Sequence, residues 1–422
     1  YYDLAKRQGV APLSLNDVRR SGYTKVPFQS ACESALTRPI LPEYDYVLVD
    51  EAQDFPNAFF QVLRRLTFPP YRICYAYDEL QSLYSMDLPD PIEMFGRDSL
   101  GNPIVSFDGE DYPGGIEKEF VLHKSYRCPQ RVLMLAHAIG LGLYSPTGCV
   151  QMLEDEESWK AIGYSLTSGT LEKGKQVEVF RPPSNSPNQI ERVYTGSTPL
   201  IEALPFESRE QELVWVANSI HDMVSRERVP LDQIIVISLD ARLARDYMAQ
   251  IQLLLYEKGI ASSIPGLIDD TAAFMEPERV TLSTVYRAKG NEAPLVYIIS
   301  FDSIYDYVEI VEARNRAFTS ISRSKAFIRI TGSGRRMTSA IDEINRIRAD
   351  FPHFRFEFPD IDVIRRLDAE TAKRRRSLER GKSTIANLLN MDPQVLDALI
   401  ATDPNLAQEL RKKLAGKGDE DK

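Results

Sequence analysis

The sequence predicts an α/β fold built on parallel sheet, and three observations carry that expectation. Short apolar runs close on polar or acidic residues: 46–49 before Asp50 and Glu51, 72–77 before Asp78, and the runs 234–238, 280–284 and 295–300. A continuous apolar run of this length, bounded by polar residues, suits a strand buried on both faces of a parallel sheet. The segments between them have helical spacing, with Phe59, Phe60, Val62, Leu63 and Leu66 in one and Leu213, Val216, Ala217 and Ile220 in another. Strand, helix, strand in succession is the connection that parallel sheets require. Finally, the longest apolar stretch, 132–144, is too short to span a bilayer and is interrupted by His137.

Taken in order, 15–20 and 28–36 read as short helices punctuated by Pro27 and Pro39. Residues 57–67 form a helix that Pro69-Pro70 ends, and 72–77 is the next buried strand. Residues 87–118 are rich in Pro, Gly and Asp, with a turn at Gly101-Asn102-Pro103, and read as an insertion. A helix is expected over 130–139 and a strand over 176–180. An amphipathic helix over 207–223, a strand over 234–238 and a helix over 242–258 follow; Gly259 sits where a helix stops. Strands over 280–284, 295–300 and 326–331 flank a helix over 312–321. The tail carries a basic cluster at 373–382, read first as a solvated helix face and second as a contact to a nucleic-acid strand or RNA. Short helices starting at Asp392-Pro393 and Asp403-Pro404 complete it.

The chain has 422 residues, 43% hydrophobic and 27% charged, enough for two or three domains. A net charge of −10 excludes a uniformly basic nucleic-acid coat, though a local basic groove suffices for a phosphate backbone. The four cysteines show no CxxC pair, which fits a reducing compartment and no zinc site. The four histidines do not cluster. With no signal peptide in view, a cytoplasmic location is expected.

The residues that carry chemistry begin at Asp50 and Glu51, at the carboxyl end of the first expected strand, where ligand sites of parallel sheets lie. One carboxylate can hold Mg²⁺ through water, and a second beside it can orient a water on a nucleotide γ-phosphate. Gln81 follows the next strand; its amide can touch both a phosphate oxygen and a water. Tyr126 offers a ring to lie on a base, and Arg127 a planar fork for phosphate oxygens. Gly290 suits a turn at positive φ.

Asp50-Glu51-Ala52-Gln53-Asp54 resembles motif II (Walker B) of superfamily 1 helicases in their UvrD/Rep branch. Tyr77 to Tyr84 (YDELQSLY) resembles motif III, Ser125 to Pro129 (SYRCP) motif IV, Thr281 to Glu292 (TLSTVYRAKGNE) motif V and Arg316 to Lys325 (RAFTSISRSK) motif VI. Any one is weak; five in family order are specific. The resemblance implies two RecA-like parallel-sheet domains, the first incomplete. Residues 1–145 would be the remainder of the first, 146–205 an irregular linker, 206–358 the second and 359–422 a helical, partly basic tail.

It further implies an ATP-dependent helicase or translocase that uses Mg²⁺ and moves 3′ to 5′ on single-stranded DNA. In that scheme Asp50 holds the metal, Glu51 positions water, Gln81 senses the γ-phosphate, and Arg127 and Arg323 reach the γ-phosphate from different domains across the cleft. Such an arginine can be worth about 10³–10⁵ in rate. Tyr126 would stack on adenine, Glu292 would bind the ribose on the turn that Gly290 makes, and Tyr84, Thr284, Tyr286 and Lys289 would face the strand.

The sequence departs from the family in places. Tyr77 opens motif III where the family has Gly, Met86 stands near the family's base-stacking aromatic, and Tyr286 replaces a His. Residues 260–280 leave room only for a loop where UvrD and Rep carry a helical insertion. A phosphate loop, G-x-x-x-x-G-K-[ST], is absent upstream of Asp50. Gly169 to Lys175 is followed by Gln176, and Gly381 to Thr384 has Arg376 where the first Gly belongs. The expectation is a carboxyl-terminal portion of a longer enzyme, with an upstream part of the same protein supplying Walker A. The alternative is a non-catalytic helicase-like subunit or sensor that binds nucleic acid or a partner chain. A nuclease has little support, with no metal-ligand cluster beyond Asp50 and Glu51.

Overall fold

The computed structural model describes residues 7, 27–78, 91–107, 111–240, 242–266, 273–305 and 310–366. Its amino-terminal part is built from α1 (Pro27–Leu36), β1 (Tyr44–Val49), α2 (Asn57–Leu66) and β2 (Thr67–Tyr75). β1 and β2 pair in parallel, from Tyr46 opposite Arg72 to Val49 opposite Tyr75, with α2 as the crossover. The helix is apolar on two sides. Ala58, Val62 and Leu66 meet Cys32 of α1, while Phe60 and Leu63 pack with Val49 and with Met94 and Phe95 of the short helix Pro91–Phe95.

The expected strand–helix–strand unit is therefore present, but neither strand is buried on both faces. Val49 points inward and Val47 packs beside it, whereas Tyr46 and Leu48 are 67% and 82% exposed. Successive side chains of a strand point to opposite faces, and among the described residues α2 covers only one. β2 also starts earlier than expected, running through Pro69-Pro70. The pairing skips from Thr67 to Arg72 at an irregularity, so neither proline has to donate to the ladder there. The turn expected at Gly101 is present, with Asp98 accepting from the amides of Leu100 and Asn102.

The larger part of the chain is a three-layer α/β unit. Its elements are α3 (Gln130–Leu141), β3 (Ser165–Gly169), β4 (Gln176–Phe180), β5 (Ile201–Phe206), α4 (Arg209–Ser225), β6 (Ile234–Ser238), α5 (Ala244–Glu257), β7 (Ser262–Ser263), β8 (Val280–Thr284), β9 (Ala293–Ile299), α6 (Ile310–Ile321), β10 (Ser324–Ser333), α7 (Gly334–Asp350) and β11 (His353–Glu357). Six strands in the order β5-β10-β9-β6-β8-β7 make one sheet, with every pair parallel. This is the RecA-like kind of parallel sheet that the sequence predicts.

Alternation along the central strands feeds two cores. Ile235, Ile237, Val296, Ile298, Ile328 and Ile330 pack with α3, α6 and α7. Ile234, Val236, Val280, Leu282, Leu295 and Tyr297 pack with Leu213, Val216 and Ile220 of α4 and Met248 and Ile251 of α5. Being sandwiched by helices on both sides is what makes these strands continuous apolar runs. Gly259 ends the α5 segment at φ 71, as expected of a helix stop.

Two stretches differ from the expected organisation. Residues 130–141 do not join the β1–β2 unit. α3 is buried against α6, with His137 stacked on Phe318 at 5.6 Å and Gly140 lying under the same ring. Residues 146–205, expected as an irregular linker, hold the short helix Glu156–Ala161, β3, β4 and β5. β3 and β4 join β11 in a three-stranded antiparallel sheet whose Val177 and Val179 belong to the same core as the large sheet. The irregular composition reflects turns between short elements. Gly169 to Lys175 is one of these turns, joining β3 to β4 rather than a strand to a helix.

α7 and β11 had no counterpart in the sequence reading. α6 and α7 are pinned together by a fully buried pair, Arg314 with Glu343 at 2.8 Å, to which Tyr305 donates its hydroxyl at 2.6 Å. A helical turn over 361–366 follows β11; the tail expectations from 367 onward lie outside the described residues. No described helix is long and apolar enough to cross a membrane.

Candidate functional site

The acidic pair stands where the strand pattern put it. Val49 ends β1, Asp50 follows in the open, and Glu51 leads a single 3-10 turn, Ala52–Asp54. Glu51 is left-handed, with φ 52 and ψ 46. A non-glycine residue held there costs on the order of 1–3 kcal/mol, and such strain clusters at functional positions. The loop is fixed from several sides. Ala52 N–H donates to Ala76 O at 2.9 Å, and Glu51 N–H to Asp50 Oδ1 at 2.9 Å. Gln53 gives Nε2 to Glu51 Oε2 at 2.7 Å and accepts from Asp78 N–H at 3.2 Å. Gln53 thus ties the acidic loop to the next strand's end, a role that its place in the motif did not announce.

The second face of the cleft comes from the six-stranded sheet, at the amino ends of β9 and β10. Glu292 precedes β9; Arg323 precedes β10, and Lys325 is its second residue. The two strands start side by side, Ser324 opposite Ala293, so these residues are neighbours by register. Glu292 forms ion pairs with Arg127 and, at 2.8 Å, with Lys325. Arg323 is 1% exposed; it donates Nε to Thr319 O at 3.0 Å and Nη2 to Ser322 Oγ at 3.1 Å. Burial, and then the nearby positive charge of Arg127, lower its pKa, while Glu51 and Asp78 act in the opposite direction. Arg127, Glu51 and Asp78 therefore lie within electrostatic reach of Arg323.

Arg127 reaches this cleft from a different body than expected. It is carried by the segment leading into α3, on the same unit as Arg323. Cys128 Sγ lies 3.3 Å from Ser322 O, and Asn188 Nδ2 donates to Arg127 O at 2.6 Å and to Lys325 O at 3.4 Å. Burial pushes the Cys128 thiol up to about 11, so it stays protonated. Behind it Arg181, also 1% exposed, donates to Ser186 Oγ and Asn185 O at 2.7 Å each and to Ile162 O. Asn188 and Arg181 are the positioning residues that sequence reasoning missed. A lone Asn or Arg in an irregular stretch carries no signal until the fold shows which backbone it holds.

Lys289 is also placed differently from the expectation. Rather than facing a strand groove, its side chain is 7% exposed and its ammonium bridges to the acidic loop, 2.7 Å from Asp54 Oδ1 and 3.5 Å from Glu51 Oε2. Gly290 takes φ 79, and a Cβ there would meet nothing, so the turn needs glycine for its backbone alone. Thr284 is at the opposite, carboxyl edge of the sheet, half-buried, with Tyr286 exposed beside it. Tyr126 is 70% exposed next to Arg127. Gln81, Tyr84 and Met86 lie outside the described residues. Among the described residues no group of three or more His, Cys, Asp or Glu converges as a metal cage would. Asp50, exposed beside Glu51, offers a single open carboxylate, which is the donor a hard cation that keeps most of its waters would use.

No protein-family profile matches this sequence. No curated protein matches it. Among solved structures, it is similar to the C-terminal domain of a possible DNA helicase from Lactobacillus plantarum WCFS1, at 17% identity and a TM-score of 0.26, over 33% of this chain and 80% of that one. A likeness that partial carries no argument about function.

Proposed function

We propose that this chain is the working body of an ATP-dependent motor on single-stranded nucleic acid, of the UvrD/Rep kind, acting on DNA in the 3′ to 5′ direction. The observation that supports it is the cleft in which Glu51 of the acidic loop lies within electrostatic reach of Arg323, with Arg127 beside Arg323 and Lys325 joined to Arg127 through Glu292. The residues fit Mg²⁺ and ATP: an exposed carboxylate, a second with its orientation fixed by Gln53, and cations opposite at the amino edge of a parallel sheet. When bound, Mg²⁺–ATP supplies the phosphoryl group whose transfer to water drives movement.

In this reading Asp50 would hold Mg²⁺ through its waters, Glu51 would position the attacking water, and Arg127 and Arg323 would neutralise phosphate charge. Tyr126 covers the base. Thr284 and Tyr286, at the other edge of the sheet, face the strand; Lys289 couples the two sides instead of touching the strand. The phosphate cradle is not among these residues, and the reading requires that another segment or chain supply it.

The test has two parts. The 422-residue chain alone should hydrolyse no ATP, and joined to its phosphate-loop segment it should show Mg²⁺-dependent ATPase activity stimulated by single strands. In that joined protein Glu51→Gln should retain ATP binding and lose turnover. Near-normal turnover in the variant removes Glu51 from its role. An absence of hydrolysis under every pairing would favour the non-catalytic alternative.

A further inference from the structure

Glu292 sits between two cations that any phosphate reading of this cleft would need for itself. It pairs with Arg127 and with Lys325 Nζ at 2.8 Å, and the three side chains are 30%, 43% and 42% exposed. Half-exposed pairs of this kind contribute little, because water screens them and ordering long side chains costs entropy. An anion with more charge than one carboxylate can therefore take Glu292's place.

The cations do not depend on Glu292 for their position. Asn188, 7% exposed, donates to the backbone carbonyls of both Arg127 and Lys325, and so fixes the two chain segments relative to each other. Cys128, the neighbour of Arg127, is anchored to Ser322 O. Arg323 lies buried behind them, held by Thr319 and Ser322, and adds a fixed positive background. Without Glu292, like charges would face one another across a preformed gap. Arginine and lysine groups held this way recognise phosphate oxygens, Arg through its fork and Lys as a point charge.

We propose that Glu292 is an internal counter-anion for a polyphosphate subsite made by Arg127 and Lys325, and that the phosphate tail of the incoming nucleotide displaces it. This deepens the motor reading above and rests on it. Lys325 thereby gains a binding role, and Glu292 becomes a gate whose departure frees the turn of residues 289–292. On that turn Lys289 is bound to Asp54, so displacement of Glu292 on one side is felt at the acidic loop on the other.

The experiment is calorimetric titration of inorganic pyrophosphate into the 422-residue chain at low salt. Pyrophosphate has no ribose, so a sugar contact by Glu292 cannot contribute. Glu292→Gln is expected to tighten binding by about 3- to 10-fold, the release of one to two half-exposed pairs. Glu292→Ala should do the same, and thermal melts of both should match the parent. Glu191→Gln is the control. It removes the same charge from the same unit, beside Arg131, and should change binding less than 2-fold by the same screening argument.

Arg127→Met and Lys325→Met should each weaken binding several-fold. If these two weaken it and Glu292→Gln does no more than Glu191→Gln, the counter-anion role is overturned while the phosphate subsite stands. If Arg127→Met and Lys325→Met leave binding unchanged, or neither the parent nor Glu292→Gln binds pyrophosphate, the subsite falls, and the motor reading loses its support with it.

Discussion

The bridge from Lys289 to the acidic loop gives the sharpest quantitative prediction, because its two ends differ in burial. The Lys289 side chain is 7% exposed, Asp54 35% and Glu51 28%. Lys289→Met removes the ammonium but keeps an apolar stem. Asp54 and Glu51, both part-exposed, then rehydrate, so the loss is small, about 0.5–1 kcal/mol. Asp54→Asn instead takes the nearer carboxylate from a nearly buried ammonium, with Glu51 at 3.5 Å beside it. That should cost more, about 1–2 kcal/mol, yet less than the 3–5 kcal/mol of a fully buried charge left alone. A double-mutant cycle read by urea denaturation should give a coupling of about 1 kcal/mol. Hydrogen exchange gives an independent reading. The amides of Ala52 and Asp54, bonded to Ala76 O and Glu51 O, should exchange faster in both variants. Additive single effects, with unchanged exchange in the loop, would refute the bridge as a tie between the two parts.

Two further predictions follow from buried polar groups. Glu343→Gln should destabilise the chain by about 3–5 kcal/mol, since it strands Arg314 without solvent; adding Arg314→Met should recover part of the loss, as measured by denaturant midpoint. His137 is buried against Tyr164 and Phe318, and its pKa is pushed well below 6.5 by burial and then by Arg181. Its folded pKa lies below its unfolded one, so the unfolded state binds the extra proton. The stability this group contributes is full above pH 6.5 and falls as pH drops below it, by up to about 1.4 kcal/mol per pH unit. His137→Gln, which keeps an acceptor for Tyr164, should flatten that acid limb between pH 6.5 and 5 in pH-dependent melts.

The strands of the six-stranded sheet were legible because both faces are covered, which makes them unbroken apolar runs. The same rule misjudged β1 and β2, where Leu48 at 82% exposed shows that an apolar run need not be buried on both sides. α7 carries a helical signal of its own, since Met337, Ala340, Ile344 and Ile347 recur at helical spacing and are all buried. What hid it is the polar remainder of the helix and the glycine that opens it. β3 and β5 were harder. Ser165–Gly169 carries little apolar content, and Ile201–Phe206 includes Pro205, so neither composition marks a strand.

The cleft was legible in its residue types more than in its partnerships. Asp50, Glu51, Arg127, Glu292 and Arg323 were each singled out, and the structure brings them to one region. The allocation of Arg127 to the first unit failed for a physical reason. Sequence order placed it near Asp50, whereas burial of α3 against α6 places it on the larger unit, 194 residues away in sequence at the Cys128–Ser322 contact. Lys289 failed in the same way: a lysine beside a glycine turn has the same spacing whether it faces a nucleic-acid strand or an aspartate. The choice is made by the loop 235 residues earlier, where Asp54 meets it at 2.7 Å. Residue type and local spacing tell which groups can bind phosphate or carry a proton. Which opposite charge each one holds while the cleft waits for its ligand is a property of the tertiary fold, and in this chain Glu292 and Lys289, three residues apart on one turn, hold charges of opposite sign on its two sides.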